Sequence, residues 1–443
     1  MRVLVVGSGA REHALVLRLS REPEVTAILA APGNPGIAAA ARILPVDLTS
    51  PRAVEALAAA ERIDLTVVGP ELPLSLGLAD HFSRAGRLIC GPTQSAARLE
   101  SSKAFAKAFM LRHGVPSARF RTCDAPDAAL SGVRSGEFGW PVVLKADGLA
   151  AGKGVVIAST LAEAEAAIGA VMIERKLGAA GARLVIEECL TGPEASFFVV
   201  SDGQRALPIG TAQDHKRIFD DDRGPNTGGM GAFAPSLLVD DRLRARVMRE
   251  IVDPVIAGMA SEGAPFRGFL YVGLMLTADG PKVIEFNVRL GDPEAQVILP
   301  LIDEPFLPIL VDASSGSLRQ SSVRVSDERL VGVVLASRGY PESAESGRPI
   351  SGIADAEGLA GVSVCHAGTS LRDGQLVTAG GRVLTVVGRG RDFGEAIERA
   401  YAGVSRIHFD GMQFRRDIGR KALQSLDSQI PQSSKPQNLK SSN

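Results

Sequence analysis

The stretch Pro281-Lys-Val-Ile-Glu-Phe-Asn-Val-Arg-Leu-Gly-Asp-Pro-Glu294 decides how the rest of the chain is read. Its first half alternates as a β-strand does. Successive side chains on a strand point to opposite faces, so Ile284, Phe286 and Val288 fall on one side and Glu285, Asn287 and Arg289 on the other. A carboxylate and a carboxamide on one face, backed by an apolar face, suit a hard cation such as Mg²⁺. That ion takes one or two protein oxygens and completes its octahedron with water and substrate phosphates. On this segment alone, a half-buried strand with a polar outer face is the simpler account; other segments shift the balance.

Working outward, the 443 residues suggest roughly three domains. The hydrophobic share of 45% and charged share of 22% are those of an ordinary globular protein. A formal net charge of −1 gives no global field for nucleic acid or an acidic membrane, so neither is expected as a partner. No stretch is long and apolar enough to span a bilayer. Met1 leads straight into the apolar run 3–6, which leaves no room for a secretory signal. Cys90, Cys123, Cys189 and Cys365 are far apart and form no CxxC pair, so they read as buried thiols in a reducing cytoplasm.

Residues 1–103 alternate strands (3–6, 25–30, 65–68, 88–90) with helices (12–20, 51–62, 76–85), the signature of a doubly wound parallel sheet. Ser101 or Ser102 can cap a helix over 104–112. From about residue 122 the texture turns to strand-rich hairpins interleaved with helices, an α+β pattern. A lid-like portion is expected over about 122–190, within a central domain over 104–326. A small α+β module follows over 327–423, and the polar stretch 424–443 reads as a disordered tail.

Several loops follow strand ends, where open α/β sheets bind ligands. In Gly7-Ser-Gly-Ala-Arg-Glu12 the dinucleotide fingerprint is incomplete. Glu12 stands where the third Gly belongs, and the second strand ends in Ala30 and Ala31 with no acid to hold a ribose. A sugar phosphate or a simple turn fits better than NAD. Pro32-Gly-Asn-Pro-Gly36 and Gly69-Pro-Glu-Leu-Pro-Leu74 are each turns by themselves; converging with the first loop they point to a small-molecule pocket. The loop Asp147–Gly154 sets Lys153 among Gly148, Gly152 and Gly154. It is either a hairpin turn with a solvated Lys or a lid over a triphosphate. Lys145, near the end of an apolar strand, needs a partner, either phosphate or a structural carboxylate. Gln213-Asp-His-Lys-Arg217 leads into a long polar, Gly-dense loop of the kind that carries function. There Asp214 and Lys216 are substrate-contact candidates, Asp220–Asp222 reads as a solvated charge run, and His215 has no sequence-visible triad partner.

Taken together, VLVVGSGAREHAL, APGNPG, VVGPELPL, GPTQSAARLESSKAFAK, VLKADGLAAGKGV, EECLTGPEASF, AQDHKRIFDDDRGPNTGGMGAF and IEFNVRLGDPEAQ resemble, in order, the phosphoribosylamine–glycine ligase (glycinamide ribonucleotide synthetase) family of the ATP-grasp superfamily. LASRGYP, HAGT and TAGGRVLTVVGRG look like that family's last domain. Ala10 and Asp221 depart from it where Gly is common, and residues after about 423 have no counterpart.

The resemblance implies a pre-ATP-grasp sheet, a central ATP-grasp fold and ligation of glycine to 5-phosphoribosylamine with ATP, through glycyl phosphate. It implies Mg²⁺ or Mn²⁺ on Glu285 and Asn287. It implies ATP contacts from Lys103, Lys145, Gly148, Gly152, Lys153, Gly154, Glu187, Glu188, Leu190 and Glu194. Substrates would be held by Gly9, Asn34, Pro35, Gly36, Glu71, Asn226, Thr227, Gly228, Gly291 and Asp292, with Lys145, Asp214, Lys216 and Arg289 at the chemistry. A monomer or weak dimer is expected. Another ATP-grasp carboxylate–amine ligase and a non-enzymatic nucleotide-binding regulator remain as rivals.

Overall fold

The computed structural model describes residues 1–149 and 154–429. Five parallel strands open the chain: β1 (Arg2–Gly7), β2 (Ala27–Pro32), β3 (Arg42–Ile43), β4 (Leu65–Val68) and β5 (Leu88–Cys90), in the order β3-β2-β1-β4-β5. Both faces of β1 are covered. Val3 and Val5 feed one apolar core, Leu4 and Val6 another, which is why its sequence is a continuous apolar run. The loops after β1, β2 and β4 therefore gather at one edge, as expected.

The lid is a four-stranded antiparallel sheet in the order β6-β9-β7-β8, from β6 (Phe120–Cys123), β7 (Val142–Ala146), β8 (Val155–Ala158) and β9 (Leu184–Glu188). It is tied back to the helix Lys103–Arg112. Ser102 caps that helix, and its hydroxyl and the Ala104 N–H both donate to Asp147 Oδ1, at 2.9 and 3.1 Å.

The main sheet has eight antiparallel strands. It contains β10 (Glu194–Asp202), β11 (Ala206–Asp214), β14 (Gly231–Ala234), β15 (Arg267–Thr277), β16 (Gly280–Asn287), β17 (Arg329–Ala336), β18 (Val362–His366) and β21 (Arg382–Gly390). Two ribbons flank it: β12 (Arg217–Phe219) with β13 (Arg223–Asn226), and β19 (Thr369–Arg372) with β20 (Gln375–Thr378). The order β16-β15-β10-β11-β14-β17-β21-β18 runs across the boundary expected at 326/327 without a break. Ala232 pairs with Gly332 and Phe233 with Val331. The last third of the chain thus extends the central sheet.

Two expectations change. Ile284 does not share a face with Phe286 and Val288. A bulge at this point pairs Glu285 with Gly273 and Val283 with Leu274, so Val283 enters the core in its place. The expected tail at 424 begins inside the helix Arg420–Gln429, which the buried Ala422 anchors to the last core; residues 430–443 lie outside those described. Among the described residues no helix is long and apolar enough to cross a membrane.

Candidate active site

The bulge in β16 lies where the lid strand β7 reaches the main sheet. Lys145, buried on β7, donates from Nζ to the Ile284 carbonyl at 2.9 Å and pairs with Glu187 Oε2 at 3.1 Å. Lys107 reaches the same oxygen at 3.4 Å from the helix Lys103–Arg112, and also donates to the Ala118 carbonyl at 2.8 Å. Burial, opposed by Glu187 and reinforced by the Lys145 charge, pulls the Lys107 ammonium down to about 8. The other Glu187 oxygen, Oε1, is buried with no hydrogen-bond partner among the described residues. A buried carboxylate oxygen left bare is costly, and it presents an acceptor to an N–H donor such as an adenine amino group.

Glu188 is different. Its carboxylate takes the Arg119 N–H and Nε at 2.9 and 2.7 Å, and its own N–H donates to the Arg119 carbonyl, so that side chain serves the lid. Leu190 is half-buried just past the end of β9. Gly148 sits at φ +155, where a Cβ would come 2.8 Å from Ala180 Cβ; Gly154 closes the turn by accepting the Ala146 N–H at 2.8 Å. Gly152 and Lys153 lie outside the described residues.

The charged centre joins β10, β11 and β16. Lys216 Nζ pairs with Glu194 Oε2 at 3.0 Å. Burial works against the Lys216 charge, but Asp214, Tyr271, Glu194 and Glu285 hold it on. Burial raises the Asp214 carboxyl, with Glu194 and Glu285 adding to the rise and Lys216 opposing it. Burial would also raise Glu285, yet Lys216, Lys103, Lys145 and Arg289 bring it down to about 2.

An ionised carboxylate therefore stands beside the Asn287 carboxamide, and the strand position opposite Glu285 is Gly273, with no side chain. Among the described residues no three His, Cys, Asp or Glu side chains gather into a metal-binding group. A two-oxygen donor set of this kind suits Mg²⁺ or Mn²⁺ completed by water and phosphate, and not an all-protein cage.

On the far wall, Arg289 meets the cleft already paired. Nε donates to Glu71 Oε2 at 3.0 Å, and Nη2 lies 3.0 Å from Glu100 Oε1 and 3.3 Å from Asn287 Oδ1. The buried Glu100 also accepts the Val288 N–H at 2.7 Å. Both backbone groups of Gly9 are committed, its N–H to Glu12 Oε2 and its carbonyl to the His13 N–H. A Cβ at Gly69 would fall 1.9 Å from Glu12 Oε1, so Glu12 fills the space between the first and third loops. Asn34 is fully used as well. It donates to the carbonyls of Ser8 and His366, each at 2.8 Å, and accepts the Ile37 N–H at 2.9 Å. Gly36 packs on His366 and His13, next to the half-buried Pro35. The side chain of Asn34 and the amide of Gly9 thus brace these loops against the rest of the fold.

The loop 226–229 and the turn 291–294 are held from the last third of the chain. Arg382 on β21 donates to the carbonyls of Gly228, Gly229 and Asp292 and pairs with Asp292 Oδ2 at 3.1 Å. The Gly228 N–H donates to Tyr340 Oη at 2.9 Å. Thr227 donates N–H and Oγ1 to the Lys216 carbonyl, and Asn226 pairs with Arg217 across β12–β13. Gly291 leaves room for Glu294, whose Oε2 would be 2.4 Å from a Cβ there. Burial and Asp214 push Glu294 up to about 7, and its Oε1 accepts from Ser196 Oγ at 3.2 Å.

The sequence reading missed Lys107, Glu100, Glu294, Tyr340 and Arg382. Lys107 carried a visible signal, one helical turn after Lys103. The acidic triplet is not a solvated run: Asp222 pairs with Arg415 at 2.8 Å and Lys421 at 2.6 Å. A cavity of about 450 Å³ lined by Arg87, Thr93, Arg267 and Ser314 lies behind β5 and holds none of these residues.

Known proteins match this chain along nearly its whole length. Models of the phosphoribosylglycinamide synthetase N domain, ATP-grasp (A) domain and C domain match residues 1–100, 101–295 and 330–421. A phosphoribosylamine–glycine ligase from Xylella fastidiosa is 51% identical over 428 residues, covering 96% of this chain and 98% of the relative. One from Ralstonia nicotianae is 49% identical over 424 residues, covering 96% and 100%. The crystal structure of the Thermotoga maritima phosphoribosylamine–glycine ligase superposes with a TM-score of 0.82 at 34% identity, covering 94% of this chain and 100% of that one. A biotin carboxylase from Campylobacter jejuni, at 15% identity and TM-score 0.70, shares the fold over 96% of this chain and 95% of its own. On these matches the chain belongs to the phosphoribosylglycinamide synthetase family.

Proposed function

We propose that the chain ligates glycine to 5-phosphoribosylamine, converting ATP to ADP and phosphate and forming glycinamide ribonucleotide for purine synthesis. The observation that carries this reading is the ionised Glu285 beside Asn287, ringed by Lys216, Lys103, Lys145 and Arg289, in a chain whose relatives bear the name of that reaction.

A carboxylate is a poor acyl donor. Attack by the glycine carboxylate oxygen on the γ-phosphorus breaks the bond to ADP and gives glycyl phosphate. The ribosylamine nitrogen then displaces phosphate and loses a proton. The intermediate forms on substrate, so no protein nucleophile is needed. Phosphoryl transfer calls for positioning and charge neutralisation. Lys103 and Lys145 face the phosphates, and the bare Glu187 Oε1 accepts from the adenine. The lid turn that includes Gly148 and Gly154 covers the nucleotide, with Leu190 beside the base. Glu194 shares its carboxylate between Lys216 and a ribose hydroxyl. Mg²⁺ or Mn²⁺, bound by Glu285 and Asn287, would neutralise the phosphate oxygens.

Asp214 and Lys216 stand at the reacting centre. Arg289, already oriented by Glu71 and Glu100, faces glycine or the ribosylamine together with Asp292, Gly291 and the 226–228 loop. The protein acts in the cytoplasm as a monomer or weak dimer. ADP release measured with glycine and 5-phosphoribosylamine, singly and together, tests the assignment. Release that requires both supports it, and dependence on a different amine sinks it.

A further inference from the structure

Behind the cleft the acidic turn 220–222 meets a cationic segment, 415–421, from the far end of the described chain. Arg415 lies at its centre, fully buried. Its Nε and Nη2 donate to the two carboxylate oxygens of Asp417 at 2.7 and 2.6 Å. Its Nη1 donates to Asp222 Oδ1 at 2.8 Å and to the Arg217 carbonyl at 3.1 Å. Neighbouring contacts repeat the junction. The Arg416 N–H donates to Asp220 Oδ1 at 2.8 Å, and the Asp221 N–H to Asp417 Oδ2 at 3.0 Å. Lys421 Nζ reaches Asp222 Oδ2 at 2.6 Å, and Arg420 reaches Asp221 at 3.3 Å. Asp221 and Asp222 sit at φ +56 and +53, a left-handed conformation that non-glycine residues keep only where their surroundings impose it.

The far side of this junction is the active site. Arg217 follows Lys216, and the Lys216 carbonyl holds Thr227 through both its N–H and its hydroxyl, at 2.7 and 2.8 Å. The His215 ring, one residue before Lys216, is buried with neither nitrogen partnered among the described residues, so that side chain adds no hydrogen bond to hold the segment. We propose that Arg415 is a positioning residue for ligation: through Asp222 and the Arg217 carbonyl it sets the Asp214–Lys216 strand end and the 226–229 loop without touching substrate. This rests on the ligase reading above. A planar guanidinium can serve Asp417 with two bonds and still reach Asp222 and a carbonyl; an ammonium cannot match that fork.

The full chain is compared with Arg415→Met, Arg415→Lys and Asp222→Asn. Rates are scored per competent site, counted by the stoichiometry of ADP binding, so that unfolded protein does not enter. Misplacement of reacting groups by a fraction of an ångström to one ångström costs up to about 100-fold. Arg415→Met is expected to lower kcat by about 10- to 100-fold and raise KM for glycine, with KM for ATP within about threefold of wild type. Arg415→Lys should recover part of the loss. A kcat per competent site within about twofold of wild type, with only the melting temperature lowered, would show a purely structural role and overturn the proposal. If Arg415→Met yields no folded protein, Asp222→Asn, which keeps the Asp417 pair, decides by the same criterion. Absence of wild-type turnover defeats the ligase reading and this inference together, whereas wild-type turnover with unaffected variants defeats the inference alone.

Discussion

The two walls of the cleft handle their polar groups in opposite ways. On the wall where lid and main sheet meet, Glu187 keeps one oxygen without a partner among the described residues, and Glu285 stays ionised among Lys216, Lys103, Lys145 and Arg289. On the wall built from the first three loops, Gly9, Asn34 and Arg289 have their groups paired within the protein. A wall with an open acceptor and clustered cations suits a base and a polyphosphate. A wall with closed pairs is a brace that sets distances. Substitutions should therefore separate, with activity lost on the first wall and stability lost on the second.

The largest effect is expected at Glu285. Glu285→Ala should lower kcat by at least about 10³-fold while the far-UV spectrum at assay pH stays that of the folded chain; steady-state ligation and circular dichroism check both halves. The sign of its pH effect is fixed. A carboxyl held at about 2, below its ordinary 4.5, contributes stability above pH 4.5 that is lost as pH falls towards 2. In the variant the acid limb of the stability profile should be shallower in that window.

Asn34→Ala comes next and tests the opposite wall. It leaves the Ser8 and His366 carbonyls and the Ile37 N–H without their partner. The expected cost is about 2–3 kcal/mol in urea unfolding, with ATP affinity unchanged. A loss of nucleotide binding with intact stability would reverse the assignment of the walls.

Lys107→Met sharpens the nucleotide wall. With one of two cations gone from Glu187, KM for ATP should rise about tenfold and kcat should change little. An ammonium lowered to about 8 binds its proton less well folded than unfolded, so wild-type stability should rise with pH between about 8 and 10.5. The variant should lack that rise.

The smallest effect is at Glu294. Raised to about 7, its carboxyl binds a proton better in the folded chain, so its contribution to stability falls as pH climbs from 4.5 to 7. Glu294→Gln should flatten that slope in chemical denaturation series.

Much of this was legible in the sequence where local chemistry decides. The continuous apolar run of β1 marks a strand covered on both faces, and the Glu285–Asn287 spacing survives because the bulge falls one residue earlier. The bulge itself was hidden, since strict alternation cannot show an inserted residue. Asp220–Asp222 looked solvated because its partners Arg415, Arg420 and Lys421 lie near the other end of the described chain. The bond from Asn34 to the His366 carbonyl was hidden because nothing local shows that β18 arrives there. The join of β14 to β17 was equally remote in sequence. Each omission was a contact made only by folding, whereas each success was a pattern within one segment.

The most direct test of the central claim is the anomalous difference density of crystals soaked with Mn²⁺ and a non-hydrolysable ATP analogue. The account requires a peak about 2.1 Å from oxygens of both Glu285 and Asn287, with nucleotide phosphates completing the shell. A peak at other residues, with Glu285 facing only its lysines, would contradict it.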